Sequence, residues 1–236
     1  MDEIEWWEFE DIDALAVQAA GDIAFIIESA IEAHKHARIA LPGRPTLAPL
    51  HAALAKVKGI DWSQVTIIPT DDRLLALDDP DGAHAQLKKA FAGTGAEVVS
   101  LIDESALGDY REAGRLADAR LSLIRWPLDL ACVALAESGE VAGILPGPDF
   151  DSAVSGPRER RALGLLPGEY ADPPGERVTL SAAAITSARA VMLIAHGAAS
   201  RRLLERAIDD GPLSAQPVGR LLAGLETPAD IFWSAD

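Results

Sequence analysis

A pattern typical of a buried strand lies near the middle of this chain. Residues 128–135 form an apolar run that only Asp129 interrupts, which is typical of a strand covered on both faces in a parallel sheet. A polar turn with one glycine follows at 136–140, and a second apolar segment occupies 141–145. This order predicts a strand, a glycine turn and the start of a helix, at the sheet edge where α/β folds bind ligands. The amides of such a turn favour an anion. An ordinary surface turn after a core strand is the alternative.

Strand-like and helical segments alternate along the rest of the chain. The predicted strands are 38–41, 65–68, 98–101, 178–180 and 191–194, and the predicted helices are 13–37, 50–57, 84–91, 110–123, 182–187 and 201–208. This alternation predicts a single domain over residues 1–236, an α/β fold with a three-layer αβα arrangement and a mostly parallel, Rossmann-like sheet. Residues 146–174 are predicted to be an irregular excursion, of which 148–174 is either a lid over the site or a plain surface loop.

Composition narrows the possible classes of function. The formal net charge of −16 over 236 residues argues against a nucleic-acid partner, which needs a basic face. No apolar run reaches membrane-spanning length, and the acidic start of the chain lacks the basic region of a signal peptide. We therefore predict a cytoplasmic protein without a membrane partner. The single cysteine, Cys132, lies inside the central apolar run and is predicted to be a buried small hydrophobe rather than a nucleophile.

Several short motifs resemble those of a known family in their order and spacing. LPGRPT at 41–46 is similar to the family's Leu-Ser-Gly-Gly-Ser-Thr, and TDDR at 70–73 is similar to its Gly-Asp-Glu-Arg or Thr-Asp-Glu-Arg. The other matching motifs are IDWS at 60–63, WPLDL at 126–130, and RVTLS at 177–181 followed by Ala188-Arg189. Over nearly its whole length the chain resembles the 6-phosphogluconolactonases, within the sugar-phosphate isomerase and deaminase superfamily.

The resemblance implies a reaction and a set of site residues. The reaction is the hydrolysis of 6-phosphogluconolactone, or a related sugar-phosphate lactone, to the open-chain acid in the pentose phosphate pathway, without cofactor or metal. The catalytic residues it implies are Asp71 and Arg73 beside the sugar ring, with Glu140 in the turn after the central strand. The residues expected to bind substrate are Gly43, Arg44, Thr46, Gly139, Arg177 and Arg201. The implied partner is a small sugar phosphate, and the chain is either a monomer or a homodimer.

Several positions depart from the family pattern. Glu140 stands where the family has the histidine that serves as its general base, and Ser138 stands where the family has aspartate. In the first turn, Arg44 and Pro45 replace glycine and serine, and proline has no N–H to offer a phosphate. Ser200 stands where the family has a phosphate-facing lysine.

These departures leave two readings of the site. Glutamate has a reference pKa of about 4.3 against about 6.5 for histidine, so Glu140 as base would slow the reaction about ten- to a hundredfold unless burial or nearby Asp71 offsets the mismatch. In the other reading, Glu140 repels a phosphorylated substrate. Arg44, placed in the phosphate turn, is predicted to replace the missing cation by binding bidentately, and Arg201 is a further candidate for that role.

Three hypotheses follow. The first is a lactonase, and the second is a catalytically degenerate relative that binds a sugar phosphate, an acid or a protein partner without turnover. The third is an isomerase or deaminase that acts on an amino sugar with a carboxylate base. The lactonase mechanism requires the Glu140 carboxylate and the Arg73 guanidinium to meet around one pocket. The histidines suggest no metal site: His51 and His84 are predicted on helix surfaces, and His196 at the crevice.

Overall fold

A seven-stranded parallel sheet forms the centre of this protein, whose computed structural model describes residues 4–166 and 174–235. The strands of the described residues are β1 (Ile4–Phe9), β2 (Ala37–Leu41), β3 (Val65–Pro69), β4 (Asp71–Arg73), β5 (Glu97–Val98), β6 (Leu130–Ala134), β7 (Ala162–Leu165), β8 (Arg177–Leu180), β9 (Val191–His196) and β10 (Ala229–Ser234). The central sheet has the order β1-β10-β9-β6-β2-β3-β5, and all its neighbouring strands are parallel. The predicted α/β fold with a mostly parallel sheet is confirmed.

Helices cover both faces of this sheet. They are α1 (Ile12–His34), α2 (Ala48–Leu54), α3 (Ala83–Ala90), α4 (Tyr110–Leu121), α5 (Phe150–Val154), α6 (Ala182–Thr186), α7 (Gly197–Asp210) and α8 (Pro217–Ala223). Helices α1, α2 and α3 share one core cluster with Leu130 and Cys132 of β6. Helices α4, α6, α7 and α8 share the other cluster with Ala131 and Val133. Because successive strand residues point to opposite faces, both faces of β6 are apolar and the three-layer arrangement is confirmed.

The enclosure of β6 explains the apolar run that marks it in the sequence. All five of its residues are buried, and Asp129, the polar residue just before it, accepts a hydrogen bond of 2.8 Å from the amide of Arg38. Burial raises the pKa of the Cys132 thiol to about 12, so the thiol stays protonated near neutral pH. The prediction that Cys132 is a buried small hydrophobe is confirmed.

Helix α1 is long and apolar enough to cross a membrane, judged by length and composition alone. In the fold it is a core helix, because Leu15, Ile23 and Ile27 are fully buried against the sheet. Its first turn is capped by Asp11, which accepts a hydrogen bond of 2.8 Å from the amide of Ala14. The helix is therefore held along one face by the sheet.

A second, smaller sheet corrects one expectation from the sequence. Strands β4, β8 and β7 form a separate antiparallel sheet, so the expectation that 178–180 belongs to the parallel sheet is wrong. Strand β4 starts at Asp71, two residues after Pro69 ends β3. That connection is too short for the crossover that parallel neighbours need, and β4 turns away to pair with β8.

Two further expectations are wrong in part. The stretch 146–174 is not wholly irregular, because it contains α5 and β7, which pack around Ile144 in a small apolar cluster; residues 167–173 lie outside the described residues. The turn after β6 does not start a helix. Val141 instead forms isolated bridges with Leu135 and Ile144, and the left-handed φ of 49° at Ala142 and 68° at Gly143 breaks any helical path.

Candidate active site

The ends of three neighbouring strands surround one cavity. β2 lies between β3 and β6 in the sheet, so the turns that follow these strands meet at the edge where α/β folds bind ligands. The cavity has a volume of about 360 Å³, within the range of small-molecule sites. Its lining residues are Gly43, Arg44, Pro45, Thr46, Asp71, Asp72, Arg73, Asp81, Ala83, Glu140 and Arg177. Glu140 and Arg73 thus line the same cavity, which is the arrangement that the lactonase mechanism requires.

Two arginines stand side by side in this cavity. Arg73 of β4 is directly opposite Arg177 of β8 in the antiparallel pair, where like charges are unfavourable unless other groups offset them. Arg177 lies 3.6 Å from the Asp71 carboxylate and 3.5 Å from the Glu140 carboxylate. Arg73 lies 3.6 Å from Asp81, whose side chain is 75% exposed. The two guanidinium groups therefore form a positive centre that is flanked by carboxylates.

Glu140 is the most enclosed ionisable side chain of the cavity, with a relative exposure of 1%. Its Oε1 accepts a hydrogen bond from Nη2 of Arg44 and is the oxygen that lies near Arg177. Its Oε2 is buried without a hydrogen-bond partner in the described part of the chain. A buried polar atom without a partner is rare and often marks a functional group.

Asp71 is held in place by the turn that follows β6. Its Oδ1 accepts a hydrogen bond of 2.9 Å from the Thr70 hydroxyl. A Cβ at Gly143 would lie 2.9 Å from Oδ2 of Asp71, so only glycine allows the turn to approach this closely. The Thr179 hydroxyl donates a 2.6 Å hydrogen bond to the carbonyl of Ala142, which ties the same turn to β8. The turns after β3 and β6 are thus packed together around the cavity.

Asp72 is a site residue that the sequence reasoning missed. Its carboxylate accepts hydrogen bonds of 2.6 and 2.9 Å from the amides of Ala83 and His84, at the start of α3. Burial raises the pKa of Asp72 to about 6, against the opposing effect of those two amides, and the nearby charge of Asp71 raises it further. The available signal was the aspartate at a strand end with a glycine-led helix start ten residues on, at Gly82. Asp72 joins the β3 turn to the helix that borders the cavity.

Gly43 and Thr46 line the cavity as their predicted roles require. A Cβ at Gly43 would lie 2.5 Å from both the Cβ and the carbonyl oxygen of Ala83. The turn after β2 therefore packs directly against the start of α3, which only glycine permits.

Two residues predicted to bind substrate lie elsewhere. Gly139 does not line the cavity. The side chain of Gln216 fills the space where a Cβ at Gly139 would lie, and the left-handed φ of 87° at this glycine shapes the turn that contains Glu140. Arg201 does not line it either. Its guanidinium lies 2.8 Å from Glu8 and 3.0 Å from Glu205, with the rings of two tryptophans, Trp6 and Trp233, also in contact. Both residues therefore support the surrounding structure at these positions.

An adjoining cavity of about 410 Å³ shares Arg44 and Thr46 with the first. It also reaches Glu137 and His196, while its remaining lining residues are apolar: Ile12, Leu47, Ala134, Leu135, Ala136, Ile194 and Ala195. His196 is therefore at the crevice, as predicted. Arg44 lies between the two cavities, with its side chain 24% exposed.

The other histidines give no metal site. His51 and His84 are 3% and 9% exposed, so the prediction that they lie on helix surfaces is wrong. The His51 ring packs against Phe91, and the His84 ring lies 3.4 Å from the carbonyl oxygen of Leu77. Burial lowers the pKa of His51 to about 4. Within residues 4–166 and 174–235, no three His, Cys, Asp or Glu side chains are grouped so that they could hold a metal ion.

The sequence as a whole matches a family with this architecture. The model of the family described as glucosamine-6-phosphate isomerases/6-phosphogluconolactonase matches residues 10–233. The chain belongs to this family. Among the family's curated members, the 6-phosphogluconolactonase of Mesorhizobium japonicum is 28% identical, over 97% of this chain and 94% of that protein. The 6-phosphogluconolactonase of Caulobacter vibrioides is 25% identical, over 92% and 91%. The resemblance drawn from the motifs is confirmed.

Solved structures of the family share the fold. The crystal structure of a 6-phosphogluconolactonase from Shewanella baltica has a TM-score of 0.90 and 25% identity, and the match covers 99% of this chain and 98% of that one. A monomeric glucosamine-6-phosphate deaminase has a TM-score of 0.74 and 16% identity, with 98% and 97% covered. At that identity, the deaminase shares the fold and no more is inferred from it.

Proposed function

We propose that this protein hydrolyses 6-phosphogluconolactone, or a related sugar-phosphate lactone, to the open-chain acid. Curated relatives at 25–28% identity are 6-phosphogluconolactonases, which supports the reaction class. The observation that supports the proposal is that Glu140, Arg73 and Arg177 line one cavity, where one oxygen of Glu140 has no hydrogen-bond partner among the described residues. A cytoplasmic location and the state of the chain as monomer or homodimer stay predictions.

The proposed mechanism uses a carboxylate base and two guanidinium groups. Glu140 takes a proton from water as the water oxygen bonds to the lactone carbonyl carbon. Arg73 and Arg177 stabilise the negative charge that develops on the carbonyl oxygen, and Asp71 binds a hydroxyl of the sugar. When the tetrahedral intermediate collapses, the ring C–O bond breaks and the ring oxygen takes the proton back from Glu140. The sum is one lactone and one water converted to one acid.

Binding without turnover is the second candidate, and the Arg44–Glu140 ion pair favours it. That pair occupies the proposed base with the chain's own cation, and the lining of the cavity has four carboxylates against three arginines. In this candidate a phosphorylated ligand binds to the site and does not react. The two candidates make opposite predictions about turnover, so one assay separates them. Deamination of an amino sugar is the third, and release of ammonia would reveal it.

The assay follows hydrolysis of freshly generated 6-phosphogluconolactone above its spontaneous rate. We expect Glu140→Gln to lower kcat by about 10²-fold or more, since removal of a general base has effects of this size. Arg73→Ala should lower kcat by about 10²-fold through loss of transition-state charge stabilisation. Glu10→Gln and Arg206→Ala are matched controls, because both side chains are exposed and neither lines the cavity.

Each outcome decides between the candidates. A parent protein no faster than the spontaneous reaction supports binding without turnover. A parent that is active while Glu140→Gln keeps its full kcat removes Glu140 as the base, whatever the reaction. Loss of activity in both site variants, with both controls unchanged, supports the mechanism.

A further inference from the structure

Arg44 and Glu140 form a hydrogen-bonded ion pair across the candidate site. They lie 96 positions apart in the chain, on the turns after β2 and β6, and their side chains form a direct ion pair. Arg44 belongs to the lining of both cavities, whereas Glu140 belongs to the lining of the first. A ligand that spans both cavities would therefore contact Arg44, the partner of Glu140.

In this state the carboxylate of Glu140 is closed to water. The residue is 1% exposed, Oε1 is occupied by Arg44, and Oε2 is buried with no hydrogen-bond partner among residues 4–166 and 174–235. A general base must lie within hydrogen-bond reach of the water that it deprotonates. Because Arg44 occupies Oε1, movement of Arg44 would make this oxygen accessible to water.

The adjoining cavity is the better place for an anionic group. Among the described residues, the lining of the first cavity has four carboxylates, those of Asp71, Asp72, Asp81 and Glu140, against the three arginines Arg44, Arg73 and Arg177. Of the residues that the structure describes, those lining the second cavity include one carboxylate, that of the exposed residue Glu137, together with Arg44 and His196. The charged residues lining the first cavity thus sum to a formal charge of −1, and those lining the second sum to zero with His196 neutral. Since like charges repel, a phosphate is opposed less in the second cavity and approaches Arg44 from there.

We propose that Arg44 is a latch that anions release: it holds Glu140 in the free protein and moves to the phosphate of an incoming ligand, which frees the carboxylate. The activation of Glu140 as a base rests on the proposed function. The exchange of Glu140 for phosphate as the partner of Arg44 does not rest on it. Arginine binds phosphate bidentately at least as well as it binds a carboxylate, so the exchange replaces one strong contact by another.

Glu140 is not left unpaired when Arg44 moves. Nη1 of Arg177 stays 3.5 Å from its Oε1, so the buried carboxylate keeps a cation nearby. This matters because an isolated buried charge is strongly unfavourable. Arg177 also lies near Asp71, which fixes the cation beside the released base.

The exchange predicts a competition that can be measured by calorimetric titration with inorganic phosphate. If Glu140 and phosphate compete for Arg44, Glu140→Gln should tighten phosphate binding about tenfold, as expected for one charge-assisted hydrogen bond. In the Arg44→Gln background, Glu140→Gln should change phosphate affinity by less than about twofold, because the guanidinium for which Glu140 and phosphate compete is absent. Asp71→Asn is the matched control, since it removes a carboxylate of the same cavity that Arg44 does not contact, and its effect should be equal in both backgrounds.

Equal effects of Glu140→Gln on phosphate affinity in both backgrounds would show that the charge of Glu140 repels phosphate directly and does not compete for Arg44. That result would overturn the proposal. Absence of phosphate binding by both the parent and Glu140→Gln would overturn it as well. If Arg44→Gln does not fold, as judged by its melting transition, Arg44→Lys serves as the second background. It keeps the cation but not the bidentate contact, so the effect of Glu140→Gln should then be smaller than in the parent.

Activity provides an independent readout with a lactone that carries no phosphate. For gluconolactone, inorganic phosphate should raise the rate of hydrolysis by the parent, because it draws Arg44 away from Glu140, and should not raise it for Arg44→Gln. An inactive parent with the binding competition intact means that the lactonase proposal fails and the latch stands. An active parent without the competition, and without stimulation by phosphate, means that the latch alone fails.

Discussion

Asp72 should make the stability of this protein depend on pH in a way that a single substitution removes. The carboxyl is 2% exposed, and burial raises its pKa from 3.8 to about 6. The folded state therefore binds the Asp72 proton more tightly than the unfolded chain does. The stability that this proton contributes is fully present below pH 3.8 and is lost as the pH rises through 6.

The size of the effect follows from the shift of the pKa. About two pKa units at about 1.36 kcal/mol each amount to about 3 kcal/mol between the low-pH and high-pH limits. Between pH 7.5 and pH 5, Asp72 should contribute about 1 kcal/mol to the change in the free energy of unfolding, with the protein more stable at pH 5. Asp72→Asn lacks this contribution. The variant also loses one of the two acceptors for the amides at the start of α3, a loss of about 1–2 kcal/mol that does not vary with pH.

Urea unfolding of the parent and the variant at the two pH values measures this difference. The difference between their unfolding free energies should change by about 1 kcal/mol, with the parent gaining stability at the lower pH. Asp78→Asn is the control, since Asp78 is exposed nearby on the same connection, and its gap from the parent should stay constant. If Asp72→Asn follows the parent at both pH values, the carboxyl is already ionised at pH 5 and the reasoning from burial is refuted.

Three further outcomes test the placement of particular residues. Gly43→Ala should lower the free energy of unfolding in urea by about 2–3 kcal/mol, because the new Cβ would meet Ala83. The control Gly21→Ala, at a position with open space around it, should raise that free energy by about 0.5–1 kcal/mol. Equal effects of the two substitutions would contradict the packing argument. Arg201→Gln should leave the KM for the lactone unchanged, because its guanidinium is held outside the cavity; a KM several times higher would restore it as a substrate contact. Cys132 should resist thiol reagents until the protein unfolds, and labelling in the native state would show that β6 opens.

The local pattern of this sequence determined the layers and the edge that carries the site. The apolar run at 128–135 identified the enclosed strand β6, because a strand covered on both faces leaves no position for polar residues. Asp71, Arg73 and Glu140 were expected at one site because the motifs that contain them resemble those of the family. The motifs led to the same family that the comparison of the full chain shows.

Only the tertiary structure decided which side chains meet. Arg177 stands opposite Arg73 because β4 leaves the parallel sheet and pairs antiparallel with β8, which no local periodicity shows. Arg44 faces Glu140 rather than open solvent, and Arg201, on an equally plausible position in the sequence, turns away toward Trp6 and Trp233. Periodicity records which face of an element is buried. The partner of a charged side chain depends on how elements far apart in the chain are packed, and that is known only once the fold is complete.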